Sequence, residues 1–461
     1  MAVMNWQHYL GAVMGIVLVI GAGIISGVRS SRKGISTSGE KSLGTILVTG
    51  SLLGVITGGA STIGTAQLAY TYGFSAWWFT LGAGLACLVL LFPFAKPFYF
   101  GGNRTLAQYV APEYGQKAAS IAAFLMSFGN FLSIVSQTLS GVALIAAIST
   151  LSEKAAGVIT VVLMISYILF GGMRGSGVTG LLKCVLLYLC CAACGVIVLT
   201  SDGGWGVLHA ALPAEQFFNV LARGALTDLG AGLSLILGVV TTQTYFQVLL
   251  MSRDFGVYRR SCLLGALLIP PIGVAAILVG LYMRVHYPGI VPASALPLFL
   301  IEKLPPVFAG LCLGALLITL VGAGAGLTIG IASNFTRDIY HVYINPGASQ
   351  KTLSRLSNGL IVLIPCLTLV FLFTGMGSLI LSWSFLALGL RGAVLFAPLC
   401  GSIWFRGKIP PRFAMAAIIA GPSATVLSKL FLPLPVDPVF PGVFAALLTM
   451  GAGLLAGKKR A

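Results

Sequence analysis

Acidic residues are nearly missing from this chain: ten Asp and Glu stand among 461 residues, and charged residues of either sign make up 8%. None of the ten lies deep in a long apolar run; they sit in loops or near run ends. Paired carboxylates for acid–base work are therefore absent from the apolar segments. The four histidines (His8, His209, His286, His341) also lie away from the middle of any such run, so no histidine proton relay is available. There is no HExxH, no GxSxG and no phosphate-binding loop, and nothing points to an enzyme or an organic cofactor. All nine cysteines fall in apolar stretches, which implies no disulfide framework. Cys190, Cys191 and Cys194 lack an accompanying His or carboxylate and read as small buried side chains rather than metal ligands.

What is present is apolar. Hydrophobic residues make up 57% of the chain, with 59 glycines and a mean hydropathy of +1.00. This composition defines an all-α polytopic membrane protein. The first apolar run, about 8–28, has no basic leader and is followed by Arg29, Arg32 and Lys33. It reads as an uncleaved helix with its N-terminus outside. Twelve further runs lie at roughly 44–71, 75–95, 118–150, 155–172, 177–200, 229–251, 259–284, 306–335, 354–374, 376–399, 412–432 and 438–457, long enough to give about 13 transmembrane helices.

The loops test that count. The net charge is +17, and 20 of the 27 Lys and Arg fall in alternate loops, against four (Lys154, Arg223, Arg284, Lys303) in the others. The split follows the positive-inside rule and places the C-terminus inside a cytoplasmic membrane. Trp77, Trp78 and Trp404 at run ends read as interfacial anchors. The positive charge thus faces anionic lipid and does not imply nucleic acid. Nothing in the pattern demands more than a monomer or a loose oligomer.

One run is a poor helix at its centre. Between Gly44 and Gly73 the segment Thr57-Gly58-Gly59-Ala60-Ser61-Thr62-Ile63-Gly64-Thr65 combines glycines with Ser and Thr, which compete for backbone hydrogen bonds. Non-helical backbone at membrane depth is tolerated only where it is buried in protein or lines a watery cavity. The alternative is a small-residue face packing a neighbouring helix. A long mixed segment, 201–228, reads as a lid or surface helix, and the run after it is again interrupted, at Thr241-Thr242-Gln243-Thr244. The chain then divides into an extra helix and loop (1–43), a first block (44–200), the outer segment (201–228), a second block (229–399) and a C-terminal pair of helices with a basic tail (400–461). Two five-helix blocks of inverted orientation, each led by a broken helix, are the pattern of an alternating-access transporter.

Particular residues carry a family likeness. GGASTIGTAQLAYTYGFSAWWF resembles the first core helix of sodium:solute symporters. TLAQYVAPEYGQKAAS (105–120), FGGMRG (170–175) and NFTRDIYHVYINP (334–346) are similar to segments before the third core helix, before the fifth and at the end of the eighth. The resemblance implies the leucine-transporter five-plus-five inverted repeat, with broken first and sixth core helices, and transport of a small solute. It also implies a principal sodium site made of carbonyls from the first core helix and hydroxyls from the eighth. By motif these ligands are Ala60, Ile63 and Thr319, followed by Gly322 and Ala323 where the family has two hydroxyl residues. An aspartate of the fifth core helix is replaced by Gly180, and Lys183 stands three positions on. A hard cation needs about six oxygens, so this sodium site is weak or absent. Lys183 could substitute for the ion, leaving the carrier proton-coupled or sodium-independent, because desolvation favours the neutral amine. The competing reading is a lysine whose long stem snorkels to the headgroups.

Candidate solute contacts follow from the same alignment and from polarity within the runs: Ser61, Thr62, Gln67, Gln137, Thr242, Gln243 and Gln247, with Asn130 adding a further amide. The family's sugar carriers use a glutamine at the position of Gln67. Each of these side chains could instead bond a neighbouring helix. Arg391 lies inside a run with no acidic partner. It binds a solute carboxylate, suggesting an anion or zwitterion, or it snorkels or caps carbonyls while lining the inner exit. A non-transporting membrane sensor or subunit is the alternative class, since an eroded ion site is compatible with lost coupling.

Overall fold

Helices stop where glycine and threonine cluster. The computed structural model describes residues 4–32, 42–102, 105–171, 176–374, 379–431 and 436–458. Of the charged loop residues, Lys33, Lys41, Arg104, Arg174, Lys459 and Arg460 lie outside the described set, as do the last residues of the 170–175 motif.

Helix α1 spans Trp6–Arg32, and α2 (Thr45–Ile56) ends at Thr57, whose extended backbone (φ −85°, ψ 113°) leaves the helix. After Gly58 and Gly59 the chain resumes as one π turn, Ala60–Gly64, and then α3, Thr65–Tyr72. A 3-10 turn at Gly73–Trp77 leads to α4 (Trp78–Leu91), followed by the short α5 (Ala95–Phe100) and α6 (Ala107–Tyr114). Next come α7 (Gln116–Ile148), α8 (Glu153–Ser166) with a π turn at Tyr167–Gly171, and α9 (Ser176–Thr200). The outer segment holds α10 (Gly204–Ala211) and α11 (Ala214–Phe217) and folds onto α4, where the Trp78 indole donates to the Val220 carbonyl at 2.7 Å. The second interrupted run becomes α12 (Ala225–Val240) and α13 (Gln243–Leu250), bent by 53°. The remainder is α14 (Phe255–His286), α15 (Ala295–Lys303), α16 (Pro306–Ser333) with a π stretch at Asn334–Ile344, α17 (Gln350–Phe373), α18 (Ile380–Trp404), α19 (Pro411–Phe431) and α20 (Val439–Lys458).

Nine helical runs among the described residues are long and apolar enough to cross a membrane, or ten with the bent pair. The count of 13 is not reached by that measure, for physical reasons. The described apolar part of α1 (Trp6–Val19) is short, α2 has 12 residues and α8 has 14. Ala60–Leu91 is one helical run across the point where two crossings were expected to divide.

The two broken helices are tied together at one end. The Leu43 amide donates to the Met251 carbonyl at 3.0 Å, and the Arg253 amide donates to the Leu43 carbonyl at 3.0 Å. The start of α2 and the end of α13 thus share a short parallel bridge. Elsewhere, small residues set the packing. Gly11 and Gly15 of α1 lie against the backbone of Val307 and Leu311 of α16, Gly314 lies against Ala12, and a Cβ at Gly310 would fall 2.0 Å from the His8 carbonyl oxygen. On the side with few cations, Arg223 pairs with the fully buried Asp228 at 2.6 Å, Lys303 with Asp202 at 3.2 Å, and the Arg284 guanidinium lies 5.3 Å from the Tyr70 ring centre.

This contact predicts a contrast within one helix. Gly310→Leu should lower the melting temperature in detergent, since overpacking costs about 1–3 kcal/mol. Gly326→Leu in the same helix, where an added Cβ meets nothing within 4 Å, should leave it unchanged. Equal melting temperatures for the two variants would refute the close packing of α1 on α16.

Candidate functional site

A break in a membrane helix exposes amides and carbonyls that need partners. At the first break the Gly59 amide donates to Gln137 Oε1 at 3.0 Å, and the Gly58 amide to Ser61 Oγ at 3.0 Å. The Gly58 carbonyl accepts from the hydroxyls of Ser61 (2.9 Å) and Thr62 (3.1 Å). The Ala60 carbonyl accepts the Thr65 hydroxyl at 3.2 Å as well as its amide. Gln67, one turn on, accepts the Ile380 amide on its Oε1 at 2.9 Å, which fastens α3 to the start of α18. Ser136 reinforces that corner, with its hydroxyl on the Ile380 carbonyl (3.1 Å) and against Ser384 (2.6 Å).

At the second break the contact comes from Arg391, through the Thr242 hydroxyl. Arg391 is 2% exposed. Its Nη1 donates to Asn130 Oδ1 (3.0 Å) and Thr242 Oγ1 (2.9 Å), Nη2 to Ser133 Oγ (2.9 Å), and Nε to the Ala387 carbonyl (3.2 Å). Arg391 therefore neither snorkels nor lines an open exit. It joins α18, α7 and the α12–α13 break. Thr242 also donates to the Gly238 carbonyl at 2.5 Å, and Gln243 Oε1 accepts the Leu106 amide at 2.8 Å.

One stripe on α7 serves both breaks. Asn130 and Ser133 meet Arg391, and Gln137 and Ser140 meet Gly58 and Gly59. These four recur at three- or four-residue spacing, which places them on one helix face. Ser133 and Ser140 were not anticipated as site residues; the spacing from Asn130 and Gln137 is the signal that could have found them. Of the nominated solute contacts, Gln67, Gln137, Thr242, Gln243, Ser61 and Thr62 are all engaged by the protein itself, while Gln247 is exposed. A cavity of only about 10 Å³ adjoins the first break, lined by Thr62 with Cys190, Cys191, Ala275 and others. That is about the space of one water, so no solute fits beside Thr62 in this conformation.

The expected cation residues divide into two groups. Ala60 and Ile63 are buried in the π turn, which packs on α7, α14 and α18. Thr319 donates to the Ala315 carbonyl of its own helix at 2.7 Å, and Ala323 is half-buried. Lys183 is buried on α9 and points at α16: a Cβ added to Gly322 would lie 2.5 Å from Nζ and 3.5 Å from the Tyr167 hydroxyl. The ammonium sits 5.8 Å from the Tyr167 ring centre, within cation–π range. Gly180 lets α9 approach α2, since a Cβ at Gly54 would be 2.7 Å from its Cα. Tyr167 was not foreseen; it belongs to a π turn, a feature that local composition does not mark.

Two broken spans are contacted by one polar stripe on a third, directly at the first and through Arg391 at the second. The sodium:solute symporter profile matches residues 37–421, and the chain belongs to that family. It is 30% identical over 145 residues to an uncharacterized symporter, YwcA, of Bacillus subtilis, covering 31% of this chain and 28% of that protein. It is 25% identical to a monocarboxylic acid transporter of Corynebacterium glutamicum over 78% of this chain and 72% of that one. The solved structure of a sodium-coupled sialic acid symporter in a substrate-bound, outward-open state superposes with a TM-score of 0.78 at 16% identity, covering 99% of this chain and 98% of that one. The last likeness is one of fold. These relatives are symporters or transporters, and none lends support to a sensor.

If Arg391 holds the second break, its charge alone is not enough. Arg391→Lys should lose most function, because one ammonium cannot reach acceptors on three helices. Gln137→Leu should destabilise by about 1–3 kcal/mol by orphaning the Gly59 amide. Thermal unfolding and ligand retention of the two variants check this; wild-type behaviour of Arg391→Lys would contradict the bridging role.

Proposed function

We propose that this protein is a secondary active carrier that moves a small organic acid across the cytoplasmic membrane by alternating access, with the Lys183 ammonium in the place of a coupling sodium ion. The observation that carries the reading is the approach of Lys183 Nζ to Gly322, where even a methyl group would collide. A hydroxyl side chain there would have to displace the lysine head from the place it occupies. Loss of the oxygens expected at Gly322 and Ala323 and the arrival of a fixed cation are thus one change. Proton coupling follows as the means by which such a cation is discharged and restored during the cycle.

The anionic solute rests on charge balance. Among the described residues three ion pairs occur, and none includes Lys183 or Arg391. An uncompensated buried ion costs several kcal/mol, which a bound carboxylate offsets. The monocarboxylic acid named for the Corynebacterium relative supports this class. Gln67 and Thr62 would meet the solute only after the Gln67–Ile380 contact opens. The inverted blocks at 44–200 and 229–399, the outside N-terminus and a monomeric or loosely associated state belong to the same proposal.

Uptake of small carboxylates into proteoliposomes tests it. The expected result is transport unchanged when external sodium is replaced by potassium at fixed pH, and faster as external pH falls. Lys183→Met should flatten the pH response. Strict dependence on sodium in the wild type would overturn the coupling reading, and preference for a neutral or cationic solute would overturn the anion reading.

A further inference from the structure

A groove of about 600 Å³ lies between α9 and α14, lined by Trp77, Tyr188, Cys191, Gly195, Pro270 and Ala275 among others. Its volume falls in the range of small-molecule sites, roughly 300–1,000 Å³. The faces around it are exposed and apolar: Leu189 and Val196 on α9, Leu263 and Leu267 on α14. Both helices are long and apolar enough to span a membrane, so the groove is continuous with the lipid-facing surface. Its polar groups are engaged. The Trp77 indole donates to the Pro270 carbonyl at 3.1 Å, and the Tyr188 hydroxyl donates to the Leu268 carbonyl. Pro270 and Pro271 carry no amide proton to offer a ligand.

The groove has a second property. Cys191 and Ala275 line both it and the small cavity beside Thr62. Two small side chains are therefore the wall between the lipid phase and the first helix break. A Cβ at Gly195 meets nothing within 4 Å, which keeps the groove open along α9.

We propose that this groove is a binding site for one acyl chain of a membrane lipid, held as a resident ligand between α9 and α14. Left empty, its lining would forfeit dispersion contacts on one side. A headgroup would find no free donor among the groups named above, whereas a hydrocarbon chain matches the lining and is the medium at that surface. An acyl chain there braces the helix that carries Lys183 and reaches the wall behind Thr62. The inference does not depend on the solute or the coupling ion.

The experiment uses the full chain in phosphatidylcholine vesicles containing a diazirine-bearing acyl chain, with adducts mapped by mass spectrometry after illumination. Residues 188–195 and 266–275 are expected to be labelled several-fold above the exposed face of α19 around Leu427 and Phe431. Ala192→Phe and Gly195→Leu point into open space and should remove that excess while leaving α19 labelling unchanged. Labelling equal to that on α19, or an excess that survives both substitutions in folded protein, would overturn the proposal. The wild-type map alone decides if either variant fails to fold. Sodium-dependent transport would leave this result standing, so the two proposals fail separately.

Discussion

Breaking a helix inside a membrane leaves peptide groups that water cannot reach, and at the first break of this protein neighbouring polar side chains answer that demand. A lost partner for a buried amide or carbonyl costs about 1–3 kcal/mol. The polar stripe of α7 reaches both breaks, with Gln137 on the Gly59 amide and Asn130 and Ser133 on the guanidinium that also donates to the Thr242 hydroxyl. Because the two breaks depend on one helix, neither can rearrange without disturbing the same face. The Leu43–Ser252 bridge couples them a second time through backbone alone.

Cations take up the space that small residues vacate. Gly129 of α7 passes against Arg391, where a Cβ would sit 2.7 Å from Cγ, and Gly322 of α16 passes against Lys183 at 2.5 Å. In both places a glycine on one helix admits a long basic side chain from another. The two differ in their surroundings. Arg391 has oxygen acceptors on three helices, whereas Lys183 lies against an aromatic ring and a bare backbone. Four charge-assisted bonds fix a group in place.

Much of this organisation could be read in the residues. The glycines and hydroxyls at 57–65 and 241–244 mark where helix must fail, because they are weak helix formers with side chains that compete for the backbone. Motifs at either end of the core carried the family. What the residues could not supply was the partner of each polar group. Periodicity places Gln67 and Gln137 on helix faces but cannot say that one meets the Ile380 amide and the other Gly59. Arg391 was placed near an inner exit by its depth in the run, and only the packing of three helices makes it buried and shared. Gln247 went the other way, to the surface of α13.

The cavity beside Thr62 has space for about one water, and it is lined from α9, α14, α15 and α16, away from α18. The two regions of α18 that face the breaks are held unequally. At Ile380 the bonds are neutral, to Gln67 and Ser136, and each contributes about 0.5–1.5 kcal/mol net. About three turns further along, the Arg391 bonds involve a charge and contribute about 1.5–3 kcal/mol each. Separation at the Ile380 end therefore costs less than separation at Arg391, and it uncovers Gln67 and the face of the π turn while α18 stays anchored to α7.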